Sequence, residues 1–347
     1  MTQQPTPLAV AYMPLIDCAP LVAASRLGLD RAQGLRLELR RQASWAAVRD
    51  RLLSGEVQAA HLPASMVLGI DLGIAGPGAP MAWLLTLNQN GQAITLANGL
   101  ADALAAGQPL PQALAMLPRR PRLAQTFPTG THALWLYYWL AQAGVDPMKD
   151  IDALTLPPPE MPAALADGDI DGFCSGEPWA AVAEARRSGR RVIRSGAIWP
   201  GHPEKALACR RDLAALQPEL VEALTACVLS ACRWLDETPD HRRECARWLA
   251  EPEVIGAPVE QLVACLGDDP ADPQALAFHR DGSVNLPWLS DGEWFASQFV
   301  RWGWCPAEAM PPERLQQIHR LQSYRQVAAR IGVNVPHGDR RAAPPSR

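Results

Sequence analysis

Two stretches, Leu53-Ser-Gly55-Glu-Val57-Gln-Ala59 and Ala166-Asp-Gly168-Asp-Ile170-Asp-Gly172, decide the fold. Each follows a short helical segment, beginning near Trp45 in the first copy and Glu160 in the second. Each then closes it with a glycine, which reaches the left-handed backbone of a helix end without a Cβ penalty. An apolar residue follows two positions later, then a polar one and a small one, as at the start of a buried strand. The same helix–glycine–strand junction, used early and again mid-chain, implies two similar α/β lobes.

Working outward from the first copy, Leu8–Leu15, Leu35–Arg41, Val57–Leu62, Met81–Leu87 and Ala93–Ala97 read as strands. Helices are expected over Ala19–Leu27, with Asp17 as its cap, and over Ala43–Leu53. Around the second copy the pattern gives helix Ala101–Met116, strand Leu123–Phe127 and an aromatic-rich helix His132–Ala143 stopped by Gly144. Short strands at Leu154–Leu156 and Ile170–Cys174 follow, with another at Ala206–Cys209. Beyond it the chain reads as helical, in segments that include Pro218–Glu237, Trp288–Trp302 and Pro311–Ile331. The expected division is lobe 1 from residues 1–93 plus 206–335 and lobe 2 from 94–205, with a disordered tail over 336–347. Ligands of such folds sit at strand ends in the cleft between lobes.

At 347 residues, 48% apolar and 20% charged, the chain is long enough for two domains with a sizeable core. A net charge of −4 argues against nucleic-acid binding by a broad basic face. Of 32 basic residues only Lys149 and Lys205 are lysine, either through a coding bias towards arginine or because one of them sits where a compact ammonium is needed and a guanidinium would not fit; the motifs below favour the second reading for Lys205. The eight cysteines form no CxxC pair and no cluster with His at metal-ligand spacing; neither metal nor cofactor is expected, and a reducing compartment is. The N-terminal residues have no basic and apolar leader pattern, and the weakly charged run 62–87 is broken by Gly and Pro. The expectation is a cytoplasmic protein without membrane association.

Five segments place small, polar or cationic residues where strands end: Ser44-Trp45, Asn90-Gly91-Gln92, Gly130-Thr131-His132, Ser175-Gly176-Glu177-Pro178-Trp179 and His202-Pro203-Glu204-Lys205. With Pro14-Leu-Ile-Asp-Cys-Ala-Pro20, Ala43-Ser-Trp-Ala-Ala-Val-Arg-Asp50 and Phe127-Pro-Thr-Gly-Thr-His132, they carry a resemblance over about residues 8–305. The chain resembles the nitrate-binding proteins of ABC transporters, and among them the cytoplasmic branch that senses nitrate and nitrite.

The resemblance implies a type II periplasmic-binding-protein-like fold: two α/β lobes, mixed sheets flanked by helices, and a helical C-terminal part. It also implies an anion pocket. Trp45 would give an indole N–H, Gln92 an amide, His132 a ring N–H at a helix start, Gly176 a backbone N–H and Lys205 the positive charge. Asp17, Thr131, Glu177 and Trp179 would line the cleft. Nitrate accepts hydrogen bonds and donates none, so a pocket of donors with one cation suits it. The related bicarbonate-binding proteins place an acidic residue where Lys205 stands, which favours nitrate or nitrite. Glu204 is expected to point away, since neighbours on an extended strand alternate. At a ceiling of roughly 1.5 kcal/mol per heavy atom, nitrate would gain about 6 kcal/mol, a Kd on the order of tens of micromolar.

Three functions follow from that family. The first is a cytoplasmic nitrate/nitrite sensor controlling an RNA-binding antitermination regulator without touching nucleic acid itself. The second is the solute receptor of a nitrate ABC importer. The third, remote, is an enzyme like the thiamine-pyrimidine synthase of this fold. Because no P-loop, dinucleotide turn or nucleophile elbow is present, no catalysis is expected.

Overall fold

The computed structural model describes residues 4–269 and 272–342. Among the described residues, ten strands form two five-stranded mixed sheets. The first holds β1 (Thr6–Tyr12), β2 (Leu35–Arg41), β3 (Ala59–Pro63) and β4 (Met81–Gln89). The second holds β5 (Gln92–Ala97), β6 (Arg122–Gln125), β7 (Asp152–Thr155), β8 (Gly172–Gly176) and β9 (Gly189–Arg194). β10 (Pro203–Arg210) returns to the first. The orders β2-β1-β3-β10-β4 and β7-β6-β8-β5-β9 are the same pattern twice. Three parallel strands are followed by one that arrives from the other lobe and pairs antiparallel on both sides.

The sequence echo occupies equivalent places. Gly55 (φ 80°) and Gly168 (φ 75°) are left-handed. The strands that follow, β3 and β8, pair parallel with β1 and β6 respectively, Val10 opposite Ala59 and Leu123 opposite Gly172. The polar run 88–92 forms the first crossover, and the amide groups of Asn88 and Asn90 are spent internally. Asn88 Nδ2 donates to Asn90 O (3.0 Å), and Asn90 Nδ2 donates to the carbonyls of Pro273 (2.9 Å) and Ala275 (2.7 Å). The lobe boundaries shift accordingly. Gln92, expected in lobe 1, lies on β5 of the second sheet; Lys205, expected in lobe 2, lies on β10 of the first.

Other departures have local causes. Helix Ala64–Leu72 escaped a periodicity reading because nearly all its residues are buried, leaving no polar face to mark the period. The expected helix 101–116 divides into Asn98–Ala105 and Leu110–Ala115, where Gly107 (φ 84°) and Pro109 intervene. Strand β9 is an arginine-bearing edge, a charge pattern that discourages further pairing. The helix expected over 311–331 breaks at His319 into Pro312–Ile318 and Leu321–Arg330. Residues 336–342, expected to be disordered, are fastened instead. Arg341 pairs with buried Asp291 (2.8 Å), donates to the Gly201 carbonyl (2.5 Å) and lies over the Trp199 ring. The remainder of the expected tail, 343–347, lies outside the described residues.

The two lobes meet closely. Ser65 Oγ on helix Ala64–Leu72 donates to Thr129 O (2.7 Å), and a Cβ at Gly69 would stand 2.2 Å from Thr129 Oγ1. Trp179 Nε1 reaches across to Pro14 O (3.1 Å), and Ile16 N to Glu177 O (3.0 Å). Gly69→Ala is therefore expected to destabilise by about 2 kcal/mol through overpacking, with part of that restored in the double variant with Thr129→Gly, since an alanine would keep a Cβ 2.6 Å from the added one. Denaturant titrations of the four proteins in the cycle measure it, and simple additivity would contradict the contact.

His319 is fully buried, with Nδ1 2.9 Å from Pro287 O and its ring against Trp83. Burial depresses its pKa to about 4. Because the neutral ring is the folded form, its contribution is complete above the unfolded value of about 6.5 and is lost as pH falls towards about 4, on the order of 3 kcal/mol. Stability curves of wild type and His319→Asn should converge on acidification; a constant difference would contradict this.

Candidate anion-binding site

The site begins with an irregularity in β10. Its pairing to β4 shifts register between Pro203 and Lys205 and again between Lys205 and Ala206. A bulge of this kind re-aims side chains. Glu204 and Lys205 consequently turn into one cluster instead of alternating, and both are fully buried. Lys205 Nζ lies 2.7 Å from Glu204 Oε1 and 2.8 Å from Asp17 Oδ2. Glu204 also accepts from Thr131 Oγ1 (2.5 Å) and from Trp135 Nε1 (3.1 Å) on helix Thr131–Gln142 of the second lobe. One ammonium thus ties together strand, loop and helix from both lobes.

Asp17 is not the helix cap the sequence suggested. Helix Ala19–Arg26 has no side-chain cap, and Asp17 lies instead in a 3-10 turn, Ile16–Cys18, bridging Lys205 and His61 Nε2 (2.7 Å). His61 is the residue the sequence reading missed most clearly. Its signal was a lone imidazole within an otherwise apolar strand, Ala59-Ala-His-Leu-Pro63.

Around this core stand the other expected residues. Gly176 pairs with Gln92 in the β5–β8 register, and a Cβ there would meet Leu15 at 3.3 Å, Asp17 Oδ2 at 3.4 Å and His132 Nε2 at 3.7 Å. Only glycine leaves that space open. His132 Nδ1 lies 2.5 Å from Thr126 Oγ1, and with that hydroxyl donating, the ring hydrogen stands on Nε2. His132 Nε2 and Trp45 Nε1 are buried with no hydrogen-bond partner, as is Gln92 Oε1; Gln92 Nε2 sits a long 3.5 Å from Thr131 Oγ1. Lys205 Nζ lies 5.8 Å from the Trp45 ring centre. Buried donors without partners are costly unless something accepts from them.

The cluster has a definite charge pattern. Burial alone would raise Asp17, but Lys205 and His61 hold its carboxyl well below the usual range. Burial opposes the charge on Lys205, yet Asp17 and Glu204 raise its pKa above that of an ordinary lysine. For Glu204 burial prevails over Lys205, Thr131 and Trp135, and its pKa is raised. Burial keeps the neighbouring imidazoles neutral: His132 is pushed well below its ordinary value, His61 is lowered despite Asp17, and His202 falls to about 3.

Trp45, Gln92, His132, Gly176 and Lys205 are therefore brought together, with Asp17 and Thr131 beside them. Glu177 and Trp179 are not part of the cluster. Glu177 pairs with Arg191 (2.8 Å), and Trp179 serves the lobe contact at Pro14. The expectation of a pocket of donors alone also fails, because two carboxylates accept from its one cation.

Comparisons with known proteins agree with the geometry. The model of the NMT1-like family matches residues 1–250. The nitrate/nitrite binding protein NrtA of Synechocystis is 30% identical, the alignment covering 94% of this chain and 77% of that protein. The bicarbonate transport ATP-binding protein CmpC of Synechococcus elongatus is 32% identical over 97% of this chain, which spans 51% of that longer protein. The crystal structure of periplasmic NrtA from Synechocystis superposes with a TM-score of 0.92 at 29% identity, covering 98% of this chain and 94% of that one. The chain, with its paired sheets and interlobe cluster, belongs to the NMT1-like family.

Proposed function

We propose that this protein is a nitrate- or nitrite-binding solute receptor that captures the anion between its lobes and does not transform it. The observation that carries the reading is the meeting of buried polar groups from both lobes beside Gly176. A Cβ there would stand 3.7 Å from His132 Nε2, which lacks a partner, and 3.4 Å from Asp17 Oδ2, which leads to the Lys205 ammonium; Trp45, whose Nε1 also lacks a partner, has its ring 5.8 Å from that ammonium. A small trigonal oxyanion would accept from these groups together, with the positive end of helix Thr131–Gln142 adding a favourable field. The likeness to NrtA along most of both chains supports nitrate or nitrite, and the comparable likeness to CmpC makes bicarbonate the competitor to test.

A second reading keeps the site and changes what reads it out: a cytoplasmic sensor whose lobe closure releases or retains an antitermination regulator. The free thiols of Cys18, Cys174, Cys209, Cys227, Cys232 and Cys245, all buried, suit a reducing compartment. Such a sensor works only if regulator and anion prefer different lobe arrangements. Nitrate that leaves the association with a regulator unchanged in a pull-down would remove the sensor reading and leave the receptor reading intact.

Titration calorimetry with nitrate, nitrite and bicarbonate tests the receptor reading directly. Wild type should bind nitrate or nitrite with a Kd on the order of tens of micromolar or tighter. Lys205→Ala should lose that binding, since it removes the one cation and leaves Asp17 and Glu204 uncompensated. Near-normal nitrate affinity in Lys205→Ala, or a preference for bicarbonate, would count against the assignment.

A further inference from the structure

The charges around Lys205 do not balance for an anion. One ammonium faces two carboxylates, Asp17 and Glu204, in a fully buried setting. With all three ionised the cluster already carries one excess negative charge. A monovalent anion would add a second where water cannot screen it, and buried charge without compensation is strongly disfavoured. The imidazoles that could supply compensation are held neutral by burial: His132 beside Thr131, His61 beyond Asp17, and His202, whose Nδ1 is 3.6 Å from Glu204 Oε2. The Arg341 guanidinium acts on His202 from the far side but is committed to Asp291. The Cys174 thiol on β8, the remaining titratable neighbour, is raised by burial and by Glu204 itself, so it brings no charge.

Resting on the proposed anion capture, we infer that Glu204 takes up a proton from solvent as the anion binds, so that the site closes on anion and proton together. The geometry supplies both a place for that proton and a consequence for the ligand. Glu204 Oε1 is 2.5 Å from Thr131 Oγ1, and Thr131 Oγ1 is 3.5 Å from the Gln92 amide. In the carboxylate state the Thr131 hydroxyl donates to Glu204 and can only accept from Gln92. Once Glu204 is protonated it donates to Thr131, and the hydroxyl is free to donate onward to Gln92 Oε1, the buried oxygen that otherwise lacks a partner. Rotation of the amide by half a turn brings that oxygen to Thr131 and swings the NH2 group towards the anion. No bond other than the O–H forms or breaks; the proton comes from water and returns to it on release. Asp17 stays ionised throughout, because Lys205 and His61 both stabilise its carboxylate. Burial already raises the pKa of Glu204, which lowers the work of protonating it.

The test uses the full-length protein and nitrate. Calorimetry in buffers of different ionisation enthalpy, from about pH 6 to about pH 9, gives both Kd and the number of protons taken up. Uptake should rise towards about one proton per nitrate on the alkaline side, where Kd should weaken by up to about tenfold per pH unit. Infrared difference spectra with and without nitrate, on protein carrying carboxyl-labelled glutamate, should show a protonated-carboxyl band appear on binding. Glu204→Gln, which mimics the protonated side chain, should bind nitrate with a pH-independent Kd and no proton uptake. Flat affinity with no proton uptake in wild type would overturn the linkage while leaving nitrate capture standing. Uptake without a carboxyl band would move the proton to a histidine and overturn the role of Glu204, whether or not the variant folds. Absence of nitrate binding at every pH would strike the proposed function itself and this inference with it.

Discussion

A single buried ammonium organises this molecule. Lys205 reaches its place because β10 bulges, and from there it binds one carboxylate from the first lobe's N-terminal turn and another from its own strand. That second carboxylate is gripped in turn by Thr131 and Trp135 of the opposite lobe. Unpaired, any of these charges would be expelled from so dry an interior. Together they can be buried only when both lobes are present and close, so electrostatics and lobe geometry are one requirement. The aromatic backing of Trp135 by Trp199 and Trp294 keeps water from relaxing it.

Much of this arrangement was legible before any coordinates. Gly55 and Gly168 marked the same junction twice, and the paired sheets repeat one strand order around them. The family resemblance carried by the strand-end segments implied Trp45, Gln92, His132, Gly176 and Lys205, and these residues lie around one buried cluster. The rarity of lysine in an arginine-rich chain singled out the ammonium for a physical reason, since a guanidinium between Asp17 and Glu204 would need more room.

What stayed hidden depends on register and on contacts distant in sequence. A bulge cannot be read from Pro203-Glu204-Lys205, so Glu204 was sent to the wrong face. Asp17 could cap a helix by local rules, but the long-range bridge to His61 and Lys205 prevailed. Helix Ala64–Leu72, buried nearly all round, offered no periodicity, although it carries the Gly69 and Ser65 contacts that join the lobes. The role of the crossover at 88–92 has no local signature, because the Asn90 amide satisfies backbone carbonyls over 180 residues away, a partnership no local window contains.

Arg341 gives the C-terminal end of the chain a mechanical role. By holding Gly201 it staples the segment around Arg341 to the second crossover just ahead of Glu204 and Lys205, while the segment around Pro273 and Ala275 grips the first crossover at Asn90. Both connections between the lobes are thus anchored by segments remote in sequence. The two crossovers are guyed posts rather than slack cords, and between the stays the left-handed backbone of Gly91 (φ 91°) is a conformation that an L side chain would strain.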